Sequence, residues 1–318
     1  NIWCSKACII VTDYSEEFMG KLIEQLVDIS GEQNVLQNEP MKRHTTFRIG
    51  GPCDIFIKPR SIEEIRQIIE VVKENKVPYY VVGNGSNLLV SDDGYRGVII
   101  NLFNNFSDIT VEGNTITASA GALLGKIGYT ALKNSLTGFE FATGIPGTLG
   151  GAVVMNAGAY GGEMKDVLSE VTVLTKEGEL LTLKADELEL GYRTSIIAKK
   201  DYIVLEGKIQ LKPGEPDKIK AVIDDLAFRR RDKQPLEYPS AGSTFKRPKD
   251  NFAGKLIMDA GLRGYTSGGA MVSDKHCGFV INKGDATCED VIKLTDHVKE
   301  EVKNQFGIEL ELEVKKLI

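Results

Sequence analysis

The spacing of apolar residues along the chain predicts amphipathic helices. Apolar side chains recur every three or four residues over residues 15–29, which predicts a helix with one buried face. The same spacing follows Ser61 as far as Asn75, and Ser61 with Glu64 has the residue types of a capping box. Further helices are predicted over residues 123–133, from the proline at 216 to about residue 231, and over residues 288–306 with Thr287 as the N-cap.

Runs of β-branched, aromatic and alternating residues predict strands between these helices. The runs cover residues 79–82, 98–101, 115–119, 170–175, 179–183, 203–211, 278–282 and 308–314. The turn Lys176-Glu177-Gly178 would join two of them as a hairpin. Because helical crossovers and hairpins both occur, the pattern favours an α+β fold over a single doubly wound sheet.

The segment Lys212-Pro213-Gly214-Glu215-Pro216 is the strongest candidate for a domain boundary, since it ends a predicted strand and precedes a predicted helix. A length of 318 residues suggests about two domains. We therefore expect an N-terminal arm and helix over residues 1–46, a first domain over 47–212, and a smaller domain over 213–318.

Composition excludes several classes of protein. The chain has 39 Lys and Arg against 45 Asp and Glu, a formal net charge of -6, so no overall basic field would attract nucleic acid. No apolar run approaches the roughly 20 residues of a membrane span. Residues 1–11 lack the flanks of a secretory signal. These features predict a cytoplasmic protein, and they leave its oligomeric state open, with a monomer compatible.

The five cysteines are Cys4, Cys8, Cys53, Cys277 and Cys288. Their odd number and wide scatter do not suit a disulfide framework, so we expect free thiols. Cys4 and Cys8 have a metal-like spacing but no second pair of ligands nearby, and we predict no metal site.

Glycine is concentrated in one region, because twelve of the 33 glycines fall between Gly113 and Gly162. Such crowding indicates backbone that turns sharply or approaches a ligand closely. The segment from Gly144 to Ala152 leads into Met155-Asn156-Ala157-Gly158-Ala159-Tyr160-Gly161-Gly162, and its small residues would let backbone lie against a flat, bulky group. An ordinary tight turn is the alternative interpretation.

The segment Gly83-Asn84-Gly85-Ser86-Asn87 follows a predicted strand and is a candidate anion site. Its consecutive N–H groups carry little side chain, so they could form a concave nest for a phosphate or diphosphate. Leu88 stands where the dinucleotide fingerprint needs its third glycine, which excludes a Rossmann turn. Residues 121–127 are one residue too short for a P-loop and end in Ile127. Here too a simple turn is the alternative.

Six motifs occur in a fixed order from about Met41 to the C-terminus. They are Thr45-Thr46-Phe47-Arg48-Ile49-Gly50-Gly51, Gly83-Asn84-Gly85-Ser86-Asn87, Gly144-Ile145-Pro146-Gly147, Asn156-Ala157-Gly158-Ala159-Tyr160-Gly161, Gly191-Tyr192-Arg193-Thr194-Ser195 and Ala241-Gly242-Ser243-Thr244-Phe245-Lys246. In this order they closely resemble the UDP-N-acetylenolpyruvoylglucosamine reductase (MurB) family. The ordered set is far more specific than any one motif.

The resemblance implies an FAD-binding domain of the vanillyl-alcohol-oxidase (PCMH) type over residues 47–212, made of two α+β subdomains, and an α+β substrate-binding domain over 213–318. It also implies a reaction in which NADPH reduces FAD and the enolpyruvyl ether of UDP-N-acetylglucosamine takes the hydride, giving UDP-N-acetylmuramate for peptidoglycan synthesis. The residues that the resemblance assigns to FAD are Val82, Gly83, Asn84, Gly85, Ser86, Asn87, Leu88, Gly144, Ile145, Pro146, Gly147, Gly150, Gly151, Asn156, Ala157, Gly158 and Ala159.

The chemistry of the implied reaction requires two kinds of catalytic group. Hydride addition at C3 of the enolpyruvyl group leaves negative charge at C2, so the site needs a donor for the enolate and an acid for C2. The family motifs match Arg193 to the first role and Ser243 to the second, with Glu313 as a third catalytic position. From sequence alone Ser243 could be a turn residue, Arg193 a surface cation, and Glu313 part of a solvated face with Glu309 and Glu311.

Substrate-binding candidates follow from the same resemblance and from local charge. They are Tyr192, Lys233, Lys246, Arg247 and His276. Arg247 stands where many family members have Asn. The stretch between Arg193 and Ser243 is compact and resembles the short-loop form of the family, which lacks a substrate-covering tyrosine. Which residue covers the substrate therefore stays open, with Tyr238 and His276 as candidates.

Two other functions are compatible with the sequence. One is a different FAD-dependent oxidoreductase of the same fold, such as an alcohol or hydroxy-acid oxidase. The other is a non-catalytic protein that binds a UDP-sugar or nucleotide. A flavin absorption spectrum separates the second from both enzymes.

Overall fold

The computed structural model describes residues 14–318. Its α-helices are α1 (Glu16–Ser30), α2 (Ile62–Glu74), α3 (Leu124–Lys133), α4 (Leu149–Val154), α5 (Ile196–Lys200), α6 (Pro216–Lys233), α7 (Ala253–Asp259) and α8 (Cys288–Phe306). Its strands are β1 (Val35–Pro40), β2 (Pro52–Ile57), β3 (Tyr79–Val82), β4 (Leu88–Val90), β5 (Tyr95–Asn101), β6 (Ile109–Glu112), β7 (Thr115–Ser119), β8 (Leu136–Thr137), β9 (Gly158–Ala159), β10 (Gly162–Glu163), β11 (Leu168–Leu174), β12 (Leu180–Lys184), β13 (Ile203–Gln210), β14 (Lys212–Pro213), β15 (Ser240–Ser243), β16 (Thr266–Ser267), β17 (Ala270–Val272), β18 (Phe279–Asn282) and β19 (Lys315–Leu317).

Two helices begin at the N-cap residues that the sequence predicts. The Ser61 hydroxyl accepts a hydrogen bond from Glu64 N at 3.1 Å, so Ser61 is the N-cap of α2. The predicted capping box is wrong in its second half, because the Glu64 carboxylate accepts from Arg60 N instead of Ser61 N. At α8 the box is complete, with Thr287 and Asp290 bonding each other's backbone N–H.

The first lobe is built on two large sheets. One is mixed, in the order β1-β2-β5-β3, with β5 parallel to both β2 and β3. The other is antiparallel, in the order β12-β11-β13-β7-β6, and contains the predicted β11–β12 hairpin. Buried residues of α1, α2, α3 and α4 pack with both sheets in one continuous core. Burial of the apolar side chains in this core is the main contribution to the stability of the lobe.

The second lobe has one antiparallel sheet, in the order β15-β18-β17-β16. Its core includes Ile257 of α7, Val280 of β18 and Leu294 of α8. Phe47 and Ile49 of the first lobe are buried in the same core. The motif around Thr45 therefore anchors one lobe in the other, and the Thr46 hydroxyl also donates to Ser240 O at 2.7 Å.

The predicted final strand over residues 308–314 is wrong. Only Leu312 forms a bridge there, with Phe245, and the terminal strand is β19, which runs parallel to β4. The alternation arose because Leu310 and Val314 are buried in the second core. The backbone of this segment makes isolated hydrogen bonds and not a continuous strand ladder. Lys246 N donates to Glu311 O, and Glu313 N donates to Thr244 O.

Within the described part of the chain, Cys53, Cys277 and Cys288 are buried free thiols. Cys4 and Cys8 lie outside the described residues. No cluster of three or more His, Cys, Asp or Glu residues suited to a metal ion occurs among residues 14–318. In the same range no helix is long and apolar enough to cross a membrane.

Candidate active site

A deep cleft of about 1100 Å³ opens between the two sheets of the first lobe. The loop that follows β3, one face of α4, and the start of β13 line it. Twelve of the predicted cofactor residues face this cleft, namely Val82, Gly83, Asn84, Gly85, Ser86, Asn87, Leu88, Ile145, Gly147, Gly150, Gly151 and Ala157. The candidate anion nest and the glycine segment thus meet at one site.

The other five predicted cofactor residues do not line the cleft. Pro146 holds a cleft residue in place, since its carbonyl accepts a hydrogen bond from Asn84 Nδ2 at 2.6 Å. Gly158 and Ala159 form β9, and Gly144 lies against the Arg230 side chain. Asn156 is buried and its side chain bonds other protein groups.

The glycines of the cleft fall into two groups when a Cβ is placed on each. At Gly83 and Gly85 it would clash at 2.2 Å and 2.1 Å with Thr148 Oγ1 and His44 O, so these glycines permit close protein packing. At Gly147 and Gly151 the nearest protein atoms lie 3.6 Å and 3.9 Å away. A side chain there would occupy the cleft itself, so the space is left for a ligand that approaches the backbone, as a flavin dinucleotide would.

Hydrogen bonds fix the loop after β3 from several sides. Asn101 Nδ2 donates to Gly83 O at 2.9 Å, and Lys315 N donates to Asn87 O at 3.0 Å. Asn87 Nδ2 in turn donates to Glu313 O at 3.1 Å. The loop is therefore tied directly to the chain segment that carries the third predicted catalytic residue.

Thr148 and Lys315 are among the cleft residues that the sequence did not assign to a cofactor. Thr148 precedes α4 and is almost fully buried. Lys315 brings a cation to the cleft, beside the loop that follows β3. Lys315 stands two residues after Glu313, so the segment that holds the third predicted catalytic residue also contains this cation.

A second pocket of about 1050 Å³ contains Arg193, Ser243 and Glu313 together. They come from three distant parts of the chain: the turn before α5, the end of β15, and the segment before β19. The structure thus brings the three predicted catalytic residues to one site. Tyr192, Arg247 and His276 also line it.

Arg193 sits at the tip of a tight turn in which Gly191 and Thr194 exchange backbone hydrogen bonds. Its φ of 54° lies in the left-handed region, which a non-glycine residue adopts only at a cost. Its Nε donates to Glu313 Oε1 at 2.7 Å, and its guanidinium carbon lies 5.2 Å from the Tyr192 ring centre. The turn presents the arginine to the pocket in a single orientation.

Glu313 differs from the two glutamates with which it alternates. Its side chain is only 10% exposed, whereas those of Glu309 and Glu311 are 75% and 73% exposed and pair with lysines. The interpretation of all three as one solvated face is therefore wrong. Burial raises the pKa of Glu313 above its ordinary value, although Arg193 beside it acts in the opposite direction.

Ser243 ends β15 opposite Phe279 and is exposed to the pocket. The next residue anchors it, since Thr244 is buried and its hydroxyl accepts from Val280 N at 2.9 Å. Lys246 does not reach Ser243's pocket; its Nζ pairs with Glu311 at 2.9 Å. Lys246, a predicted substrate-binding residue, is therefore not among the residues that line this pocket.

The pocket carries more positive charge than the sequence indicated. Besides Arg193 and Arg247, three cations line it that no motif had singled out: Lys255, Arg263 and Lys275. Lys233, by contrast, is exposed at the end of α6 and does not line this pocket. Glu313 is the one carboxylate among the lining residues described.

The rim of the pocket is formed by Tyr192, Arg247 and Phe252. The Tyr192 hydroxyl accepts from Arg247 N at 2.8 Å, and the Arg247 guanidinium lies 4.0 Å above the Phe252 ring. His276 lies deeper, where burial lowers its pKa, and its Nδ1 accepts from Gly278 N. Tyr238, the other candidate cover, does not line the pocket.

Comparison with known proteins places this geometry in context. A family model described as UDP-N-acetylenolpyruvoylglucosamine reductase, C-terminal domain, matches residues 234–317, and one described as FAD binding domain matches residues 53–184. The UDP-N-acetylenolpyruvoylglucosamine reductase of Clostridium botulinum (strain Alaska E43 / Type E3) is 54% identical over 284 residues, covering 89% of this chain and 93% of that protein. That of Agathobacter rectalis is 53% identical over 313 residues, covering 95% and 98%.

Solved structures give the same picture. The UDP-N-acetylenolpyruvylglucosamine reductase of Thermus caldophilus has a TM-score of 0.76 and 34% identity, and the match covers 89% of this chain and 98% of that one. The 4-ethylphenol oxidase of Gulosibacter chungangensis, at a TM-score of 0.50 and 14% identity, shares only the fold, over 95% of this chain and 66% of its own. The predicted α+β fold with an FAD-binding lobe is confirmed by these matches.

Proposed function

The chain belongs to the UDP-N-acetylenolpyruvoylglucosamine reductase family, and from that premise we propose how its own residues carry out the reaction. It is a flavin-dependent oxidoreductase that reduces UDP-N-acetylglucosamine enolpyruvate to UDP-N-acetylmuramate in peptidoglycan synthesis. NADPH is the proposed electron donor. The observation that carries the proposal is the convergence of Arg193, Ser243 and Glu313 on one pocket tied to the cofactor cleft through Asn87.

FAD would occupy the cleft of the first lobe, against the loop after β3 and the open faces of Gly147 and Gly151. Backbone N–H groups of that loop and the Lys315 ammonium are the groups that would neutralise its diphosphate. When bound, the flavin supplies the hydride that reduces the enolpyruvyl group.

Arg193 stabilises the negative charge that develops on the substrate. Its Nε is held by Glu313, and within residues 14–318 its two terminal nitrogens have no hydrogen-bond partner. Those nitrogens form a planar fork that suits a carboxylate or an enolate. We assign this fork to the substrate carboxylate and the enolate conjugated with it.

Ser243 donates the proton that completes the reaction at C2. It lines the pocket at a strand end that the buried Thr244 anchors, so the backbone that carries the hydroxyl is held in place. A serine hydroxyl is a weak acid, so the alkoxide it forms needs stabilisation, and the cations lining the same pocket provide it.

Glu313 acts mainly through Arg193. Its carboxylate accepts from Arg193 Nε, and its backbone is held by Thr244 on one side and by Asn87 on the other. It therefore fixes the distance between the arginine, the serine loop and the cofactor loop.

The substrate diphosphate is bound by Arg247 and Arg263. Among the described residues neither guanidinium pairs with a carboxylate, whereas Lys255 pairs with Asp259 and Lys275 lies 3.7 Å from Glu237. Cations without a protein counter-ion are the ones free to bind an anion, and guanidinium groups suit the two phosphates.

Steady-state kinetics tests the proposal. Purified protein should show a flavin absorption spectrum and should oxidise NADPH rapidly only when UDP-N-acetylglucosamine enolpyruvate is present. Oxidation of NADPH at the same rate without that substrate would refute the assignment. A protein that lacks flavin and cannot be reconstituted with FAD would refute any role as this enzyme.

A further inference from the structure

Asn156 is a buried polar residue whose side chain the proposed reaction does not use. It follows Met155, the C-cap of α4, is 1% exposed, and has a φ of 45° in the left-handed region. A residue in that conformation and that degree of burial is retained only where its side chain has specific partners.

The amide of Asn156 makes three hydrogen bonds to groups in different segments. Nδ2 donates to Glu163 Oε2 at 2.9 Å and to Gly191 O at 3.1 Å, while Oδ1 accepts from Lys165 N at 2.9 Å. Gly191 is the first residue of the tight turn that carries Arg193. The side chain thus connects the end of α4 with the base of that turn.

A second bond ties the other end of the turn to α4. Ser195 is fully buried, and its hydroxyl donates to Val154 O at 2.7 Å while capping α5. Residues of α4 also form one wall of the cofactor cleft, including Gly151 and Val154. The same short helix therefore borders the cofactor on one face and holds both ends of the Arg193 turn at its C-terminus.

We propose that Asn156 is a positioning residue that sets the place of Arg193 relative to the cofactor cleft, by holding the Gly191 carbonyl. The proposal rests on the enolate-stabilising role of Arg193 stated above. Glu313 ties the Arg193 side chain to the cofactor loop through Asn87, but the ends of the turn that carries Arg193 are bonded by Asn156 and Ser195. Without the bond to Gly191, the position of Arg193 would be set by its contact with Glu313 and no longer by α4.

The hydrogen-bonding groups of the three partners of Asn156 require an amide side chain. Two acceptors and one N–H surround the side chain, so the residue must supply two donor hydrogens and one acceptor. Aspartate keeps the shape but places a second carboxylate oxygen against Gly191 O and Glu163 Oε2. We therefore expect Asn156→Asp to release the turn, and a displacement of about 1 Å in a catalytic group lowers the rate by up to about 10²-fold.

The experiment compares Asn156→Asp with Asn34→Asp in the intact protein. Asn34 is a matched control, because it is 6% exposed, its Nδ2 donates to Ser30 O at 2.8 Å, and it lies in the first lobe away from the Arg193 turn. FAD affinity is measured by flavin fluorescence. The rate of flavin reoxidation by UDP-N-acetylglucosamine enolpyruvate is measured in a single turnover after anaerobic reduction.

The expected result is reoxidation slowed by about 10- to 100-fold in Asn156→Asp, with FAD affinity within about threefold of wild type and Asn34→Asp unaffected. Combined with Arg193→Ala, the change at Asn156 should slow the reaction little further, because both act through one group. Additive losses in the double variant would overturn the proposal. So would weakened FAD binding with a normal rate at saturating FAD, which would make Asn156 a cofactor residue.

A second variant covers the possibility that Asn156→Asp does not fold. Asn156→Gly accepts the positive φ and removes the side chain, and it should show the same slow reoxidation. Failure of both variants to give soluble, FAD-binding protein would overturn the proposal, since Asn156 would then serve the fold. If wild-type protein itself is not reoxidised by the substrate, the proposed function fails instead, and that outcome is separate.

Discussion

The substitution Gly151→Ala separates the needs of the fold from those of the cofactor. Gly151 lies in α4, faces the cleft, and is exposed, and the nearest protein atom to a Cβ placed there is Thr148 Oγ1 at 3.9 Å. The protein alone therefore tolerates the methyl group. Alanine is also the better helix former, so the apoprotein should gain about 0.5–1 kcal/mol in its free energy of unfolding.

The effect on FAD should have the opposite sign. The new methyl group occupies space that the bound cofactor needs, and overpacking by one methyl group costs about 1–3 kcal/mol. At about 1.4 kcal/mol per tenfold, the Kd for FAD should rise about 5- to 150-fold. Chemical unfolding of the apoprotein and titration with FAD, followed by flavin fluorescence, measure the two effects separately.

Gly20→Ala is the matched control. Gly20 is an exposed glycine within α1, with no atom within 4 Å of a Cβ placed on it, and it lies far from the cleft in the sequence. It should stabilise the apoprotein to a similar extent and leave the affinity for FAD unchanged. Equal FAD affinity in Gly151→Ala and wild type would refute the placement of the cofactor against α4.

Three further predictions address the substrate pocket and its link to the cofactor. Because burial raises the pKa of Glu313, the folded state binds that proton more tightly than the unfolded state, so this group's contribution to stability falls as pH rises above the ordinary glutamate pKa. The stability of Glu313→Gln relative to wild type, measured in urea titrations, should therefore increase as pH rises above the ordinary glutamate pKa of 4.5; a difference that is constant with pH would contradict this. Asn87→Ala removes the bond to Glu313 O, and both FAD affinity and the reoxidation rate should fall; loss of affinity alone would show that the link does not matter. Arg263→Ala should raise the KM for the UDP-sugar by about 10-fold or more with a nearly unchanged kcat. Lys246→Ala should raise the KM less, because the ammonium of Lys246 pairs with Glu311. A larger rise in Lys246→Ala than in Arg263→Ala would contradict the assignment.

Local patterns predicted the five longest helices and several strands of the fold. The strands at Tyr79–Val82 and Thr115–Ser119 and the helix Cys288–Phe306 are confirmed to the residue. Their apolar spacing and caps act over a few neighbouring residues, so the sequence contains what determines them. The strand predicted over residues 308–314 is wrong because the alternation of apolar residues reflects burial in the second core. Strand formation also needs a neighbouring strand to pair with, which the pattern does not reveal.

The three proposed catalytic residues could be selected from the sequence, whereas the charges around them could not. Arg193 and Ser243 stand in motifs whose order is recognisable, Glu313 was matched through the family resemblance, and the structure places all three in one pocket. Arg263 and Lys275 reach the same pocket only through the folding of the second lobe, and no motif contains them. Lys246 illustrates the converse, because it pairs with the carboxylate of Glu311, 65 residues away along the chain, and does not line the pocket.

The most direct test of the account is a stopped-flow measurement of the two half-reactions in wild type and Ser243→Ala. The account predicts that NADPH reduces the flavin at similar rates in both proteins. It also predicts that UDP-N-acetylglucosamine enolpyruvate reoxidises the flavin rapidly in wild type and about 10²–10⁴-fold more slowly in Ser243→Ala. Equal slowing of both half-reactions, or unchanged reoxidation in the variant, would contradict the role of Ser243 as the proton donor.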